Sequence, residues 1–234
     1  MICSPSTRNN SRRRCLRNSR RVMKDKNNTS HEEFGQMMRV LMEDLSQCWD
    51  KLHEATTSED QDFWKRVFTR AVFAQIEGFT EFFRSQALTA ELNKLFGSIA
   101  TGLEIAPGKL SVLSGETYFI NDMGEIRFQS LRTPFLPNLL FCFNSFAEAH
   151  GVTHRVKKGD QWSRIQSAVQ LRDNLMHPKN LKSLDITEKE IEDVVFTLKW
   201  FYRELHLIIK LSGKGEQFQE FPDEFFKLNL KKVK

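Results

Sequence analysis

The sequence predicts an all-α fold with a small β-hairpin inserted into it. After residue 30, apolar residues recur at steps of three and four over most of the chain, which is the period of amphipathic helices. The period changes to alternation around residues 115–130, where two β-prone runs flank a four-residue connection that ends in Gly124. Phenylalanine occurs 20 times against 2 tyrosines, which indicates a well-filled apolar core.

Three segments are expected along the 234 residues. Residues 1–30 form a basic tail, residues 31–211 the helical domain, and residues 212–234 a phenylalanine-rich C-terminal extension. The tail has nine basic side chains and one acidic, a net charge of +8, which leaves −3 for the rest of a chain whose total is +5. Because the tail is rich in Arg, Ser and Asn and poor in apolar residues, we expect it to be disordered.

Three roles stay open for this tail. It could hold RNA or DNA non-specifically through counterion release. It also resembles an Arg- and Ser-rich organellar transit segment. The third alternative is that it has no role, because Met23 or Met37 is the true start. An unchanged salt dependence of RNA binding after deletion of residues 1–30 would exclude the first role.

The helices are predicted from their apolar stripes. They span residues 31–55, 59–87, 88–105, 138–149, 160–177 and 188–211. A Ser or Thr followed three residues later by Glu, the capping-box pattern, opens the first helix at Ser30 and the last at Thr187. The 59–87 helix is apolar on more than one face, so it should be central and largely buried. Gly102 and Pro107-Gly108 close the third helix.

The hairpin and the following helix complete the body. Strands are predicted over residues 116–120 and 125–129, and because an isolated hairpin is marginally stable we expect it to lie on the helical body. Pro134 and Pro137 frame the start of the 138–149 helix, and Gly151 ends it.

Two charges interrupt the central apolar helix. Arg70 and Glu77 are seven residues apart, two turns, and so share one side of the helix. They are either ordinary rim charges or a pair that lines a site, since charges on an apolar helix need partners.

One stretch carries the chemistry: Leu171-Arg172-Asp173-Asn174-Leu175-Met176-His177-Pro178-Lys179. Arginine presents a planar cationic fork that suits a phosphate, and histidine moves protons near neutral pH. Pro178 disfavours helical backbone at His177, so the helix should end there and the imidazole can swing back beside Arg172. Asp173 lies four residues before His177 and could orient the ring, while the helix C-terminus favours a cationic imidazole.

Such a pair suits RNA better than DNA. A cationic histidine can act as a general acid, and Arg172 can neutralise the charge that builds on a phosphorane. RNA supplies its own nucleophile, the 2′-OH, so neither a metal nor a protein nucleophile is required. The products would be a 2′,3′-cyclic phosphate and a 5′-OH end. On spacing alone, an Arg and a His this close are more often coincidental.

The stretch Leu171–Lys179 resembles the Arg-X4–6-His signature of HEPN domains (higher eukaryotes and prokaryotes nucleotide-binding), with Asp173 in the polar place after the arginine. The run Arg70–Phe79 looks like the early helix of these proteins. Trp162-Ser163-Arg164-Ile165 and Asp185-Ile186-Thr187 also match, so the resemblance covers roughly residues 60–211.

This resemblance implies a helical bundle that dimerises through its motif helices, so that Arg172 and His177 of two copies form one composite cleft. It implies a metal-independent endoribonuclease of toxin or antiviral-defence type, acting on tRNA or mRNA and held by an antitoxin or another regulator. Arg172, Asp173 and His177 would be catalytic, with Asn174, Lys179, Glu77 and Arg70 contacting substrate. The alternative is a non-catalytic HEPN dimer that binds nucleotide, RNA or a partner protein. A third is a scaffold that recruits a protein through its C-terminus.

Other site types are disfavoured. Cys3, Cys15, Cys48 and Cys142 lack metal-ligand spacing, which favours a reduced, cytoplasmic protein. His150 and His154 are four apart, but Gly151 makes this a turn, and no second Cys/His pair lies near, so no metal is expected. We expect no cofactor, because phosphate-loop and dinucleotide fingerprints do not occur, and no membrane partner, because no apolar run reaches ~18 residues.

Overall fold

The computed structural model describes residues 31–98 and 107–213. In these ranges the chain forms α1 (His31–Glu54), α2 (Ser58–Ser98), α3 (Pro107–Ser114), β1 (Glu116–Ile120), β2 (Ile126–Ser130), α4 (Phe135–Ala149), α5 (Trp162–Met176), a 3-10 helix (Leu181–Leu184) and α6 (Glu188–Leu211). The predicted all-α fold with a β-hairpin insertion is confirmed. The basic tail, the Ser30 cap, residues 99–105 and the extension after 213 lie outside the described residues.

The long helix α2 is the centre of the bundle, as predicted, and the other helices pack around it. Its Phe79 contacts Phe34 of α1 and Phe201 of α6, with ring centroids 5.4 and 5.6 Å apart. One turn later Phe83 contacts Phe143 of α4 at 5.0 Å. These edge-to-face and tilted aromatic contacts hold three helices to one stripe of α2 and confirm that the phenylalanines fill the core.

The predicted break between residues 87 and 88 is wrong, because α2 continues to Ser98. Ala87 and Leu88 are buried against Leu113 of α3, a helix that the sequence pattern did not predict. Pro107 begins this helix instead of closing the preceding one. A proline is tolerated at a first helical position because the N–H it lacks has no intrahelical acceptor there.

The remaining helices start and end close to their predicted positions. α4 begins at Phe135, three residues before the predicted residue 138, because Pro137 falls in the first turn, where no backbone donor is needed. Gly151 follows it with a φ of +71°, a conformation that favours glycine. The predicted capping box of α6 is confirmed: the Thr187 side chain accepts from the Glu190 amide, and the Thr187 amide donates to the Glu190 carboxylate.

The hairpin is present, but its placement differs from the prediction. The strands are antiparallel, and β2 starts one residue later than predicted because the Glu125 amide donates to Asn121 Oδ1 in the turn at 2.9 Å. The Leu131 amide closes the base by donating to the Gly115 carbonyl at 2.8 Å. The prediction that the hairpin lies on the helical body is met only at its base, where β1 contacts α3, because every residue of β2 is exposed.

Candidate functional site

The motif helix α5 is fixed to the bundle by its apolar face. Leu171 and Leu175 are buried in the core, and they leave Arg172 at the margin of that face. The helix ends at Met176, and His177 has non-helical backbone with φ −133° and ψ 64°. The His177 amide makes the last helical hydrogen bond, to the Asp173 carbonyl at 3.0 Å. The helix end predicted before Pro178 is therefore confirmed.

Arg172 lies in a polar cluster that draws on three helices. Its Nη1 donates to Asp173 Oδ1 at 2.7 Å, and its Nη2 donates to Glu77 Oε1 of α2. The guanidinium carbon lies 5.4 Å from the ring centroid of Phe135, the first residue of α4. With 22% of its side chain exposed, Arg172 is held on one aromatic face and two carboxylates while one side stays open to solvent.

The two carboxylates favour the charged form of this arginine, which is a cation in any case. Partial burial by itself would lower the pKa of Arg172, but the hydrogen bond to Asp173 and the negative charge of Glu77 outweigh it, so the pKa is raised. Arg172 is therefore a permanent cation whose direction is set before any anion arrives.

Both charges of α2 that the sequence singled out contact the motif helix. Glu77 pairs with Arg172, and Arg70 Nη2 donates to the Leu175 carbonyl at 3.2 Å. That carbonyl belongs to the last turn of α5, where the helix offers no internal donor. Both residues are exposed, as rim charges are, and both contact the motif helix, so their role in lining a substrate site stays a prediction.

The predicted contact between Asp173 and His177 is not found between their side chains in the described part of the chain. The Asp173 carboxylate pairs with the Arg172 guanidinium instead, at 2.7 Å. The imidazole of His177 is exposed, and no hydrogen bond or ion pair engages it within residues 31–98 and 107–213. Its approach to Arg172 stays a prediction.

The two remaining motif residues are less constrained. Asn174 Oδ1 accepts from Gln170 Nε2 one turn earlier on α5, at 3.1 Å. The backbone amide of Lys179 donates to Ser183 Oγ of the 3-10 helix at 3.2 Å, which fixes the chain after the motif. The Lys179 ammonium is exposed, just past the end of α5. A substrate phosphate near His177 would meet this charge without displacing a salt bridge.

Sequence reasoning missed Phe135. This ring lies under the Arg172 guanidinium and contacts Phe73 of α2 with a centroid separation of 5.7 Å. Phe135 lies 37 positions before Arg172 in the chain, and no local pattern marks a cation–π contact at that separation. The one local signal was Pro134, which stands directly before Phe135, the first residue of α4.

A groove of about 600 Å³ lies among α1, α2, α5 and α6, at the opposite end of α5 from the motif. Arg164 lines it, eight residues or about 12 Å before Arg172 along the helix. Two of its cations are already paired, Lys65 with Glu188 at 2.6 Å and Arg164 with Asp193 at 2.6 Å. Arg172 is paired as well, so pairing does not distinguish the groove from the motif; we place the candidate site at the motif because Arg172 lies five residues before the exposed His177 there.

His150 and His154, the two histidines at zinc-ligand spacing, have other contacts. His154 Nε2 lies 3.1 Å from Glu204 Oε2 of α6, and the His150 ring contacts Phe146 at 4.4 Å. Among the described residues no helix is both long and apolar enough to cross a membrane.

Comparison of the chain with models of protein families, with curated proteins and with solved structures found no match. The geometry of the Arg172 cluster is therefore what bears on function.

Proposed function

We propose that this chain is a metal-independent endoribonuclease of the HEPN type, with Arg172 and His177 as its catalytic residues. One observation carries the proposal: a pre-oriented, permanently cationic arginine lies five residues before an exposed histidine whose imidazole is not engaged elsewhere in the described structure. The arginine supplies a fixed place for a phosphate, and the histidine remains available for proton transfer.

The chemistry needs two proton movements at one phosphate. The 2′-oxygen of the substrate forms a bond to phosphorus as its proton leaves to a base. The bond from phosphorus to the 5′-oxygen breaks, and His177 gives that oxygen a proton. Arg172 stabilises the additional negative charge on the non-bridging oxygens during the exchange. The products are a 2′,3′-cyclic phosphate and a 5′-OH end, and the protein provides position and charge without a covalent intermediate.

A dimer would supply the second proton-transfer group. One copy of the motif contains a single histidine, His177, whereas the reaction uses an acid and a base. Two motif helices facing each other would place a second histidine on the other side of the scissile phosphate. The substrate in this proposal is tRNA or mRNA in the cytoplasm, and a toxin-type activity would need an antitoxin or another regulator to restrain it.

The cluster also favours a second candidate, a non-catalytic HEPN dimer that only binds nucleotide, RNA or a partner protein. Glu77 and Asp173 both occupy donors of Arg172, so an incoming phosphate competes with two carboxylates. If a phosphate displaces neither carboxylate from Arg172, the salt bridges of the motif only stabilise the fold and the motif catalyses no reaction.

Cleavage assays with variants separate these candidates. Purified wild-type protein in EDTA should cut single-stranded RNA, and Arg172→Ala and His177→Ala should each lose about 100-fold or more of that rate, the usual scale for an electrostatic or general acid group. Cleavage at equal rates by all three proteins contradicts the catalytic proposal. RNA binding without cleavage by wild type supports the second candidate.

Matched controls separate chemistry from stability. His206→Ala removes an exposed histidine of α6, and Arg127→Ala removes an exposed arginine of the hairpin. Both should retain the wild-type rate. If both controls lost activity as well, the cleavage would depend on the preparation and not on the motif. That result would indicate a contaminating nuclease.

A further inference from the structure

One face of the hairpin is apolar beyond its base pair, Glu116 and Ser130, and is uncovered by the described part of the chain. Tyr118 pairs across the strands with Phe128, and Ile120 pairs with Ile126, so these four side chains point to the same side of the sheet. Their residues are 57%, 64%, 72% and 66% exposed, respectively. We name these four residues the hairpin face.

A hairpin with an exposed apolar face needs another element packed against that face to be stable. Two strands alone are marginally stable in water, and three or more strands or packing against another element are needed for independent stability. Here the described support is at the base, where Leu131 bonds to Gly115 and where Ser111 Oγ donates to the Glu116 carbonyl at 2.5 Å. Along the strands the hairpin face meets solvent.

The charges around this face disfavour nucleic acid and membrane as its cover. Residues 116–130 contain three acidic side chains and one basic, a net charge of −2. The one basic side chain, Arg127, pairs with Glu125 at 2.5 Å. RNA and anionic lipid surfaces both need a basic surface, which this hairpin does not present.

We propose that the hairpin face is covered by the hairpin face of a second copy of this chain. Two such faces related by a two-fold axis would form a small four-stranded sandwich with its apolar residues inside. Each face exposes on the order of 500 Å², so complete burial of both would remove at most roughly 1,000 Å² from water, the lower limit for a specific interface. The contact does not depend on whether the chain cleaves RNA.

The hairpin also lies close to the Arg172 cluster along the chain. Only residues 131–134 separate β2 from Phe135, which lies against the Arg172 guanidinium. Five extended residues span at most about 17 Å, so the base of the hairpin is within that distance of Phe135. A dimer that uses the hairpin face would therefore restrict residues 131–134, which connect the hairpin to Phe135.

The test measures the mass of the full chain in solution by light scattering coupled to size exclusion. Wild type should be oligomeric at about 50 µM. The double variant Ile120→Asp with Ile126→Asp should have half the wild-type mass at the same concentration, with a dissociation constant raised at least about 30-fold, as expected when central apolar contacts are lost. Both isoleucines are mostly exposed and lie outside the helical core, so the helical signal in circular dichroism should be unchanged.

Met123→Asp is the matched control, because Met123 is 81% exposed at the turn and lies outside the hairpin face. It adds one negative charge to the same hairpin and should keep the wild-type mass. Amide exchange of β1 and β2 gives a second readout, because protection of both strands should rise with protein concentration in wild type and not in the double variant.

A monomeric wild-type chain would overturn the proposal, and so would an oligomer whose mass the double variant leaves unchanged. A double variant that loses RNA affinity while keeping its mass would show that the hairpin face contacts nucleic acid. Protection of the strands that does not change on dilution would show that the chain covers its own hairpin.

Discussion

Glu77→Gln tests whether Arg172 is the anion-binding group. In the structure Glu77 bonds one amino group of Arg172, and a phosphate in the cluster must compete with that carboxylate. Glutamine keeps the shape and removes the charge. Asp173 still holds the other amino group at 2.7 Å, so the arginine should keep its direction. We therefore expect Glu77→Gln to bind an oligonucleotide more tightly than wild type.

The size of the gain follows from the exposure of the pair. Two charges 4 Å apart near a protein surface interact by about 4 kcal/mol before screening. Glu77 is 44% exposed, and exposed pairs in solution retain roughly 1 kcal/mol or less. About 1 kcal/mol corresponds to a roughly fivefold gain in affinity. The gain should shrink as salt is added, because the carboxylate is then screened in wild type as well.

Fluorescence anisotropy with a single-stranded DNA oligonucleotide measures this affinity without cleavage, because DNA has no 2′-OH nucleophile. Glu81→Gln is the control: it removes the same charge one turn further along α2, where Glu81 pairs with Arg84 at 2.6 Å. It should change the affinity by less than about twofold. Unchanged or weaker binding by Glu77→Gln, in a variant that remains folded, would refute the assignment of Arg172 as the anion site.

Three further predictions concern the helical body. Glu91→Gln should lower the free energy of unfolding at neutral pH by about 2 kcal/mol, because two lysines pair with this buried carboxylate. Burial would raise the pKa of Glu91, but the two lysines lower it on balance. The pairing therefore stabilises the fold above the unfolded-state pKa, and this stabilisation is lost as the pH falls through the folded-state pKa. In urea titrations, the difference in stability between Glu91→Gln and wild type should vanish at acid pH. Burial raises the pKa of the Cys142 thiol to about 12, so a thiol reagent at pH 8 should modify Cys142 only after unfolding, as peptide mass spectrometry would show; labelling in the native protein would contradict its burial. Arg70→Ala removes the donor to the Leu175 carbonyl, a hydrogen bond that contributes on the order of 1 kcal/mol to the end of α5. The His177 amide should therefore exchange a few-fold faster than in wild type. Unaltered exchange would mean that this hydrogen bond does not stabilise the end of α5.

The helical fold was accessible from sequence because its signals are local. The stripe of Phe79 and Phe83 predicted a central helix, and Thr187 with Glu190 predicted the start of α6. The join at residues 87–88 was not accessible, because Ala87 and Leu88 are buried by α3, and that contact is tertiary. Periodicity cannot distinguish one long helix from two that meet end to end.

The site was predictable in part for the same reason. Pro178 signals the helix end at His177 locally, and this is confirmed. The partners of Arg172 come from three different helices, so the aromatic contact with Phe135 required the fold. Asp173 was expected to face His177 on helical spacing, but a neighbouring guanidinium competes for the same carboxylate. Helical spacing showed that Asp173 could contact His177, but in the structure its carboxylate pairs with the Arg172 guanidinium.

The most direct test of the proposed ribonuclease is the chemistry of its product ends. RNA cut by the full chain in EDTA should have 2′,3′-cyclic phosphate and 5′-OH ends, and a single 2′-deoxy substitution at the cleaved position should abolish that cut, because the nucleophile is then missing. His177→Ala should remove both products. Cleavage that persists at the deoxy position, or that leaves a 5′-phosphate, would contradict the assignment of Arg172 and His177 as a site that depends on the substrate's own 2′-OH.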